Sequence, residues 1–367
     1  MTKKVLVLGA SGVVGYSALE RFLDDGCEVI SVSRRKPEIS SGKSFKHFSV
    51  DLRDDEQSRE VFSKLSDVTH VVYAALFEKP GLIEGWKAQD QMDTNLQMMK
   101  NVFEPLCAVA KNLKHVTTLQ GTKAYGIHLH PMPIPAKEKA PRDDHPNFYW
   151  LQEDYIKEKS AEFGFDFTIL RPQLIIGAPH GVAMNLAPVI GAYAAICAEE
   201  GSSCGFPGGP SYVWEAVDAR LVAQVISWAG ESEAAAGQHF NVTNGDVFEW
   251  RNLWPAMMKT LGVDVGEDSP RSIAEFMHEK GDVWAAIVKK HNLKSVTLED
   301  IVGESQYYAD FCFAYGLESP PPPAFVSAIK LRQAGFTEVM DTEQTFTDWL
   351  EFLMERDVLP TPKATTN

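Results

Sequence analysis

The feature that most constrains the fold is a glycine-rich segment after a short apolar run. Val5–Leu8 predicts a β-strand, and a helical pattern continues to about Asp25. Between them stand Gly9, Gly12 and Gly15, at a spacing of three. Such glycines allow a tight turn and let a pyrophosphate approach the N-terminus of the helix. In this context of strand, loop and helix, the segment predicts a dinucleotide-binding site.

Strands and helices alternate along the first half of the chain. Further strands are predicted at Glu28–Ser33, Phe45–Val50, Val68–Ala75, His115–Gln120, Asp166–Leu170 and Phe240–Thr243. Helical segments lie between them, including a long one around Gly85–Lys111. This alternation is typical of βαβ units. The sequence therefore predicts an α/β fold, a Rossmann-type doubly wound parallel sheet.

After Asn244 the pattern changes to helices alone. They are predicted at Val247–Leu261, Ser272–Lys280, Val283–His291 and Leu298–Ala314, with two more after the prolines Pro320–Pro323. We expect a Rossmann domain over residues 1–178, completed by about 214–244. Residues 179–213 and 245–367 would form a smaller, mainly helical substrate-binding region.

Composition excludes several classes of partner. The net charge of −15 disfavours nucleic acid and anionic membranes, which both require a basic surface. Five scattered cysteines predict neither a disulfide framework nor a zinc site, and we expect no bound metal. The sequence contains no apolar run of about 18 residues, and its first residues lead directly into a strand. We expect a cytoplasmic protein without a signal peptide or membrane span; a homodimer is an open alternative.

The end of the second strand predicts which nucleotide binds. An NAD-preferring site usually places Asp or Glu there, whereas this chain has Ser33, Arg34, Arg35 and Lys36. Two adjacent arginines can hold a 2′-phosphate by bidentate hydrogen bonds, although a solvated basic turn is the alternative. We predict NADPH/NADP+ as the cofactor.

Two residues after the third strand, one acidic and one apolar, are candidates to contact the adenine of the cofactor. Asp51 and Leu52 stand where that strand ends. Asp51 could equally cap the helix that follows.

Two tyrosines compete for the catalytic role. Tyr155 forms a Tyr-x-x-x-Lys pattern with Lys159, the usual signature of short-chain dehydrogenases. Tyr149 lies six residues earlier, so about 600° of helical rotation leaves the two facing directions roughly 120° apart. A helix starting near Tyr149 is long enough to cross the sheet, and its N-terminus favours a developing phenolate. Lys123, directly after the fifth strand, emerges at the same sheet edge, although a loop lysine is most often simply solvated.

Several motifs resemble the progesterone 5β-reductase and iridoid synthase (PRISE) group of extended short-chain dehydrogenases, over nearly the whole chain. They are Arg34-Arg35, Leu119-Gln120, Lys123 with Tyr125, Asn147-Phe148-Tyr149, Glu153-Asp154, Arg171-Pro172, Met184-Asn185, Tyr193–Cys197 and Phe240–Trp250. The resemblance implies NADPH-dependent reduction of the carbon–carbon double bond of a small hydrophobic enone or enal. Hydride would go to the β-carbon, and Tyr149 with Lys123 would hold the enolate oxygen.

The resemblance also implies a set of cofactor neighbours. With the glycine loop and the basic turn, the predicted cofactor-binding residues are Gly9, Ser11, Gly12, Val13, Gly15, Ser33, Arg34, Arg35, Asp51, Leu52, Ala75, Leu76, Gln120, Lys123, Tyr149, Ile175, Val182, Ala183 and Met184. Lys123 is expected to lower the pKa of Tyr149.

Three departures and two alternatives accompany this prediction. The segment Leu119–Tyr125 is one residue shorter before its lysine than in familiar members, Trp150 replaces a second tyrosine, and Leu76 stands in place of a tryptophan. We therefore expect a different pocket. One alternative is carbonyl reduction or sugar-nucleotide chemistry by a conventional extended dehydrogenase through Tyr155 and Lys159. The other is a non-catalytic NADPH sensor.

Overall fold

The strands form one large sheet and two small ladders in a computed structural model that describes residues 3–294 and 296–362. The ends of the predicted domain ranges, residues 1–2 and 363–367, lie outside the described residues. The strands are β1 Lys4–Leu8, β2 Glu28–Val32, β3 Lys46–Phe48, β4 His70–Tyr73, β5 His115–Leu119, β6 Asp166–Pro172, β7 Ile175–Ile176, β8 Val213–Trp214, β9 Val217–Asp218, β10 Gln238–Val242 and β11 Phe248–Glu249.

Helices cover the faces of the large sheet and make up most of the chain after β10. They are α1 Val13–Asp24, α2 Asp55–Phe62, α3 Gln89–Val109, α4 Phe148–Phe163, α5 Leu186–Glu199, α6 Ala219–Ala229, α7 Trp250–Thr260, α8 Ile273–His278, α9 Gly281–His291, α10 Leu298–Val302, α11 Ser305–Cys312, α12 Ile329–Gln333 and α13 Thr342–Glu355. Short 3₁₀ helices occur at Glu84–Lys87, Thr122–Tyr125 and Glu233–Ala235.

The large sheet has seven parallel strands in the order β10-β6-β5-β4-β1-β2-β3. Successive side chains of a strand point to opposite faces. Accordingly, Val5 and Val7 pack in the cluster that contains α1 and α6, whereas Leu6 and Leu8 pack with α2 and α3 on the other face. Because both faces are covered, the central strands β1, β2 and β4 are largely apolar runs rather than alternating ones. The predicted doubly wound Rossmann-type sheet is confirmed.

The order of the strands reverses between β1 and β4, which are neighbours in the sheet although β2 and β3 separate them in sequence. In parallel sheets, ligands bind beyond the carboxyl ends of the strands at such a switch point. The loops that follow β1, β2, β4, β5 and β6 therefore define the functional edge of the protein.

A third hydrophobic cluster fills the mainly helical part. α5 is apolar on every side and almost entirely buried, as expected of a central helix. Trp250, Trp254 and Trp284 are buried around it, in the cluster that α7, α9, α11 and α13 share. The predicted helical content after the sheet is confirmed; the boundaries between domains stay a prediction.

The single helix predicted at Leu298–Ala314 is wrong. α10 ends at Val302, and α11 begins at Ser305. The break is at Gly303, whose φ of 47° lies in the region that favours glycine. A Cβ there would meet the carbonyl carbon of Gly181 at 2.8 Å.

The two small ladders, β7 with β9 and β8 with β11, are only two residues long. Strands this short show no recognisable period in the sequence.

The long segment between β5 and α4 begins with the 3₁₀ helix Thr122–Tyr125 and continues irregularly. Ala136 anchors its middle, because its N–H donates to Phe325 and its carbonyl accepts from the N–H of Ser327. None of the helices in the described part of the chain has both the length and the apolar run needed to cross a bilayer.

Candidate active site

The glycine segment forms a cradle that side chains would fill. Gly9 has φ of 78°, and a Cβ there would lie 2.6 Å from the carbonyl oxygen of Ala74. A Cβ at Gly15 would lie 2.2 Å from the carbonyl oxygen of Gly9. Gly12 precedes α1, and among the described residues no side chain caps this helix N-terminus. The free N–H groups and the narrow backbone fit the pyrophosphate of a dinucleotide.

The neighbouring predicted residues close around this cradle. Ser11 is half-buried in the turn itself. A Cβ at Gly177 would meet Val13 Cγ1 at 2.8 Å, so the chain after β7 passes directly over the start of α1. Ile175, in β7, lies on the same return of the chain.

The basic turn after β2 presents two exposed arginines, Arg34 and Arg35. Hydroxyl groups fix its backbone: Ser33 Oγ donates to the carbonyl of Arg35 at 2.6 Å, and Ser49 Oγ donates to that of Arg34 at 2.8 Å. The turn is thus held by serines, while the guanidinium groups reach solvent. This arrangement can receive a phosphate by charge-assisted hydrogen bonds.

Asp51 is engaged by its own loop. The Arg53 side chain donates hydrogen bonds to the Asp51 carboxylate from Nε at 3.0 Å and from Nη2 at 2.6 Å. These hydrogen bonds hold the pKa of Asp51 below its usual range. The alternative role of Asp51 as a helix cap is wrong: Asp54 caps α2, accepting from the N–H of Gln57. Leu52 is buried beside it.

The loop after β4 is fixed by α3. Asn95 accepts from the N–H of Phe77 and donates to its carbonyl, both at 2.9 Å. Gln91 accepts from the N–H of Lys79. These bonds hold Ala75, half-buried, and Leu76, 39% exposed, at the carboxyl edge of the sheet.

Gln120 lies in a buried polar network. Its Nε2 donates to Glu153 at 2.8 Å, and its Oε1 accepts from Arg171 Nε at 2.8 Å. The Glu153 carboxylate also pairs with Arg142, Lys157 and His239. The Gln120 side chain therefore connects β5, α4 and β6.

Tyr149 lies in the first turn of α4. Asn147 caps this helix, accepting from the Tyr149 N–H at 3.0 Å. The Tyr149 hydroxyl reaches the turn after β5, where a Cβ at Gly121 would come within 3.2 Å of it. The hydroxyl therefore lies at the carboxyl edge of the sheet, the edge that also carries the glycine segment.

Tyr155 faces a different environment. Its ring packs in the cluster between α3 and the sheet, and its hydroxyl is buried without a hydrogen-bond partner among the described residues. Lys159 pairs with Glu162 at 2.7 Å. The Tyr-x-x-x-Lys pattern thus lies in the packing of α4 rather than at the loop edge.

Lys123 is held by residues that sequence analysis did not identify. Its Nζ lies 3.7 Å from Glu78 Oε1 and 4.1 Å from the centre of the Trp86 ring. His128 packs edge-on against Trp86, and burial lowers the pKa of His128 to about 4. Glu78 follows β4 closely, which could have drawn attention to it, but nothing in the sequence links it to Lys123, 45 residues later.

The expected lowering of the Tyr149 pKa is wrong for this arrangement. Burial raises the pKa of Tyr149, and the nearby Glu78 carboxylate raises it further. Burial is the larger cause, and the Lys123 ammonium that was expected to lower the pKa is itself paired with the Glu78 carboxylate. Tyr149 is accordingly a protonated hydrogen-bond donor at neutral pH.

The remaining predicted cofactor neighbours lie on the loop between β7 and α5. The N–H of Gly181 donates to Ile301, and Ser305 Oγ donates to the carbonyl of Val182 at 2.7 Å. Ala183 and Met184 are half-buried next to them. This loop is therefore attached to α10 and α11 of the helical part.

The PRISE-like Rossmann-fold domain family matches residues 46–315. The chain belongs to this family. The match confirms the predicted resemblance. This PRISE-like chain is 29% identical over 376 residues to an (S)-8-oxocitronellyl enol synthase of Catharanthus roseus, covering 97% of this chain and 92% of that protein. It is 30% identical to a 3-oxo-Δ4,5-steroid 5β-reductase of Arabidopsis thaliana, and this match covers 97% of this chain and 92% of that protein.

Solved structures share the fold of the PRISE-like chain at low sequence identity. The UDP-glucose 4-epimerase of Thermotoga maritima superposes with a TM-score of 0.66 at 16% identity, covering 96% of this chain and 99% of that one. The epimerase of Bifidobacterium longum gives 0.66 at 17% identity, covering 97% and 99%. At these identities the likeness establishes the fold alone.

Proposed function

We propose that the protein is an NADPH-dependent reductase of the carbon–carbon double bond in a small hydrophobic enone or enal. One observation carries this proposal: the Tyr149 hydroxyl reaches the carboxyl edge of the sheet at Gly121, the same edge that carries the glycine segment two strands away. Membership of the PRISE-like family supports it, as do relatives named for an enol synthase and for the reduction of a steroid enone.

The chain's own residues would hold the cofactor. Gly9, Gly12 and Gly15 would receive the pyrophosphate, and Arg34 with Arg35 the 2′-phosphate. The loop 181–184 would close over the nicotinamide end. NADPH, when bound, supplies the hydride for the β-carbon of the substrate.

Tyr149 would act on the carbonyl oxygen of the substrate. As hydride reaches the β-carbon, negative charge collects on that oxygen as an enolate. A protonated hydroxyl donates to this oxyanion most effectively where water is excluded. The raised pKa of Tyr149 supports this role, because the group stays a donor. The Lys123 ammonium would add positive potential to the same region.

The surroundings of the site favour an apolar substrate. Trp86 packs edge-on against Phe311 of α11 with ring centres 5.6 Å apart, and Tyr308 stacks on Phe311. The rings of Trp86, Phe311 and Tyr308 form an aromatic surface that runs from Lys123 toward the helical part. An extended hydrophobic molecule could lie along them with its carbonyl toward Tyr149.

NADPH oxidation with identified products tests the proposal. Small enones, enals, steroid enones and simple aldehydes would each be supplied with NADPH. We expect saturated ketones or aldehydes as products. An alcohol from the same substrates would instead indicate carbonyl reduction by a conventional dehydrogenase. NADPH binding without oxidation on any substrate would indicate a sensor.

A further inference from the structure

The ion pair between Glu78 and Lys123 is unusual in its burial. Glu78 comes from the loop after β4, and Lys123 from the turn after β5. Their side chains are only 4% and 14% exposed, with 3.7 Å between Oε1 and Nζ. A charge in such a place is strongly disfavoured unless an opposite charge accompanies it.

Helix α3 fixes the Glu78 carboxylate from the other side. Gln91 Nε2 donates to Glu78 Oε2 at 2.6 Å, and Gln91 is itself almost fully buried. The Gln91 amide oxygen is occupied by the N–H of Lys79, so the amide has one orientation. One carboxylate oxygen is thereby held by α3, and the other faces Lys123.

Trp86 completes the enclosure of the Lys123 ammonium. The indole ring lies 4.1 Å from Nζ, a distance at which the ring face attracts a cation. The ammonium therefore has a carboxylate on one side and an aromatic face on another. Neither contact leaves it mobile in solvent.

Several titratable groups surround the pair. His128, from the segment after β5, lies near Lys123, and Tyr149, from α4, lies near Glu78; beyond them, Lys87 of the 3₁₀ helix lies near His128, and Tyr308 of α11 lies near Tyr149. Burial and nearby Lys123 keep His128 neutral at physiological pH. Within the described residues, no carboxylate other than that of Glu78 lies at ion-pair distance from the Lys123 ammonium. The state of Lys123 therefore depends on one carboxylate.

We propose that Glu78 is a positioning residue: through its buried ion pair it fixes the Lys123 ammonium against the Trp86 ring, at the turn after β5 that the Tyr149 hydroxyl also reaches. Its importance for turnover rests on the function proposed above. Burial alone drives Lys123 toward the neutral amine, and the carboxylate opposes this. The same carboxylate disfavours a phenolate at Tyr149. The Glu78 carboxylate thus favours the ammonium form of Lys123, while burial is the larger cause of the raised pKa of Tyr149.

Direct titration of Lys123 tests the inference without relying on activity. Lysines of the full chain would be labelled biosynthetically with carbon-13 and nitrogen-15, and Lys123→Arg would assign the Lys123 resonance. On titration from neutral to alkaline pH, we expect Glu78→Gln to lower the pKa of Lys123 by about one unit or more. Glu78→Asp should restore most of the difference.

A second buried carboxylate provides the matched control. Glu215 accepts a hydrogen bond from the N–H of Val326 and lies outside the site. Glu215→Gln should leave the Lys123 titration unchanged. Circular dichroism would verify that each variant is folded. An unchanged Lys123 pKa in folded Glu78→Gln would overturn the inference.

The pH profile of kcat/KM gives the second readout. A lower pKa of Lys123 means that the ammonium is lost at lower pH, so the alkaline decline of Glu78→Gln should begin earlier than in the parent protein. A coincident alkaline limb would also overturn the inference. If no enone is reduced by the parent protein, the proposed function fails, while the Lys123 titration still decides the role of Glu78.

Discussion

The charged side chains at the nucleotide end of the candidate site are exposed, whereas those at the substrate end are buried and paired. At the nucleotide end, the guanidinium groups of Arg34 and Arg35 are exposed in a chain of net charge −15. At the other end, the Lys123 ammonium is buried and forms an ion pair with the Glu78 carboxylate. Exposed cations suit a phosphate that arrives from solvent with its own charge, whereas a buried pair suits a site for an uncharged substrate.

The exposed arginines lead to a prediction about cofactor choice. Replacing Arg34 and Arg35 together by alanine should weaken NADPH binding by about 10- to 100-fold, since charge-assisted hydrogen bonds contribute roughly 1.5–3 kcal/mol. NADH binding should change little. Fluorescence titration with both nucleotides measures this. Lys36→Ala is the control, because the Lys36 ammonium lies over the Phe45 ring; an equal loss for NADH would refute the 2′-phosphate assignment.

Glu215 predicts a measurable pH dependence of stability. Burial raises its pKa to about 7 in the folded protein from an ordinary value of 4.5. Between these values the folded state binds more protons than the unfolded state, so this group lowers the free energy of unfolding as pH rises. Relative to the parent protein, Glu215→Gln should gain about 3 kcal/mol across this window. Urea unfolding at several pH values measures the difference, and a constant difference would contradict it.

The position of a single residue could be predicted from the sequence where it follows from the strand that precedes the residue. Lys123 directly follows β5, so its arrival at the carboxyl edge could be predicted. Glu78 could not be identified, because its partner is brought to it only by the pairing of β4 with β5. The alternative role of Asp51 as a helix cap failed because Asp54, three residues later, is the residue that caps α2.

Among the elements, the junction of α10 and α11 matters most for the site. Helical periodicity continues across Leu298–Ala314, which is why the sequence predicts one helix. The chain breaks at Gly303, which packs against Gly181, and Ser305 then bonds the carbonyl of Val182. A tertiary contact therefore overrides the local preference, and it attaches the helical part to the predicted cofactor loop.

This junction predicts a destabilising substitution. Gly303→Ala should lower the free energy of unfolding by about 1–3 kcal/mol, because φ of 47° is strained for alanine and its Cβ would strike Gly181. Denaturant unfolding measures the loss, and nucleotide affinity should fall with it. Gly281→Ala is the matched control, since nothing lies within 4 Å of a Cβ there and helix α9 should be unchanged or slightly stabilised. Equal effects of the two substitutions would contradict the account.

At the scale of the whole molecule, the parallel sheet determines where function can reside. The alternating pattern of the sequence predicts its seven strands, because buried parallel strands are recognisable as apolar runs between helices. The arrangement of the helical part follows from packing around α5 and carries little periodic signal, so its contacts with the sheet edge could not be predicted. Those contacts bring Phe311 and Tyr308 toward Trp86 and complete the surroundings of the site.

The most direct test compares the turnover of Tyr149→Phe and Tyr155→Phe on the same enone. Loss of the Tyr149 hydroxyl should reduce kcat by about 10²–10³-fold, the usual consequence of removing one oxyanion donor. NADPH affinity should stay within about twofold, and Tyr155→Phe should keep nearly full activity. An active Tyr149→Phe beside an inactive, folded Tyr155→Phe would contradict the account and return the chemistry to the Tyr-x-x-x-Lys pair.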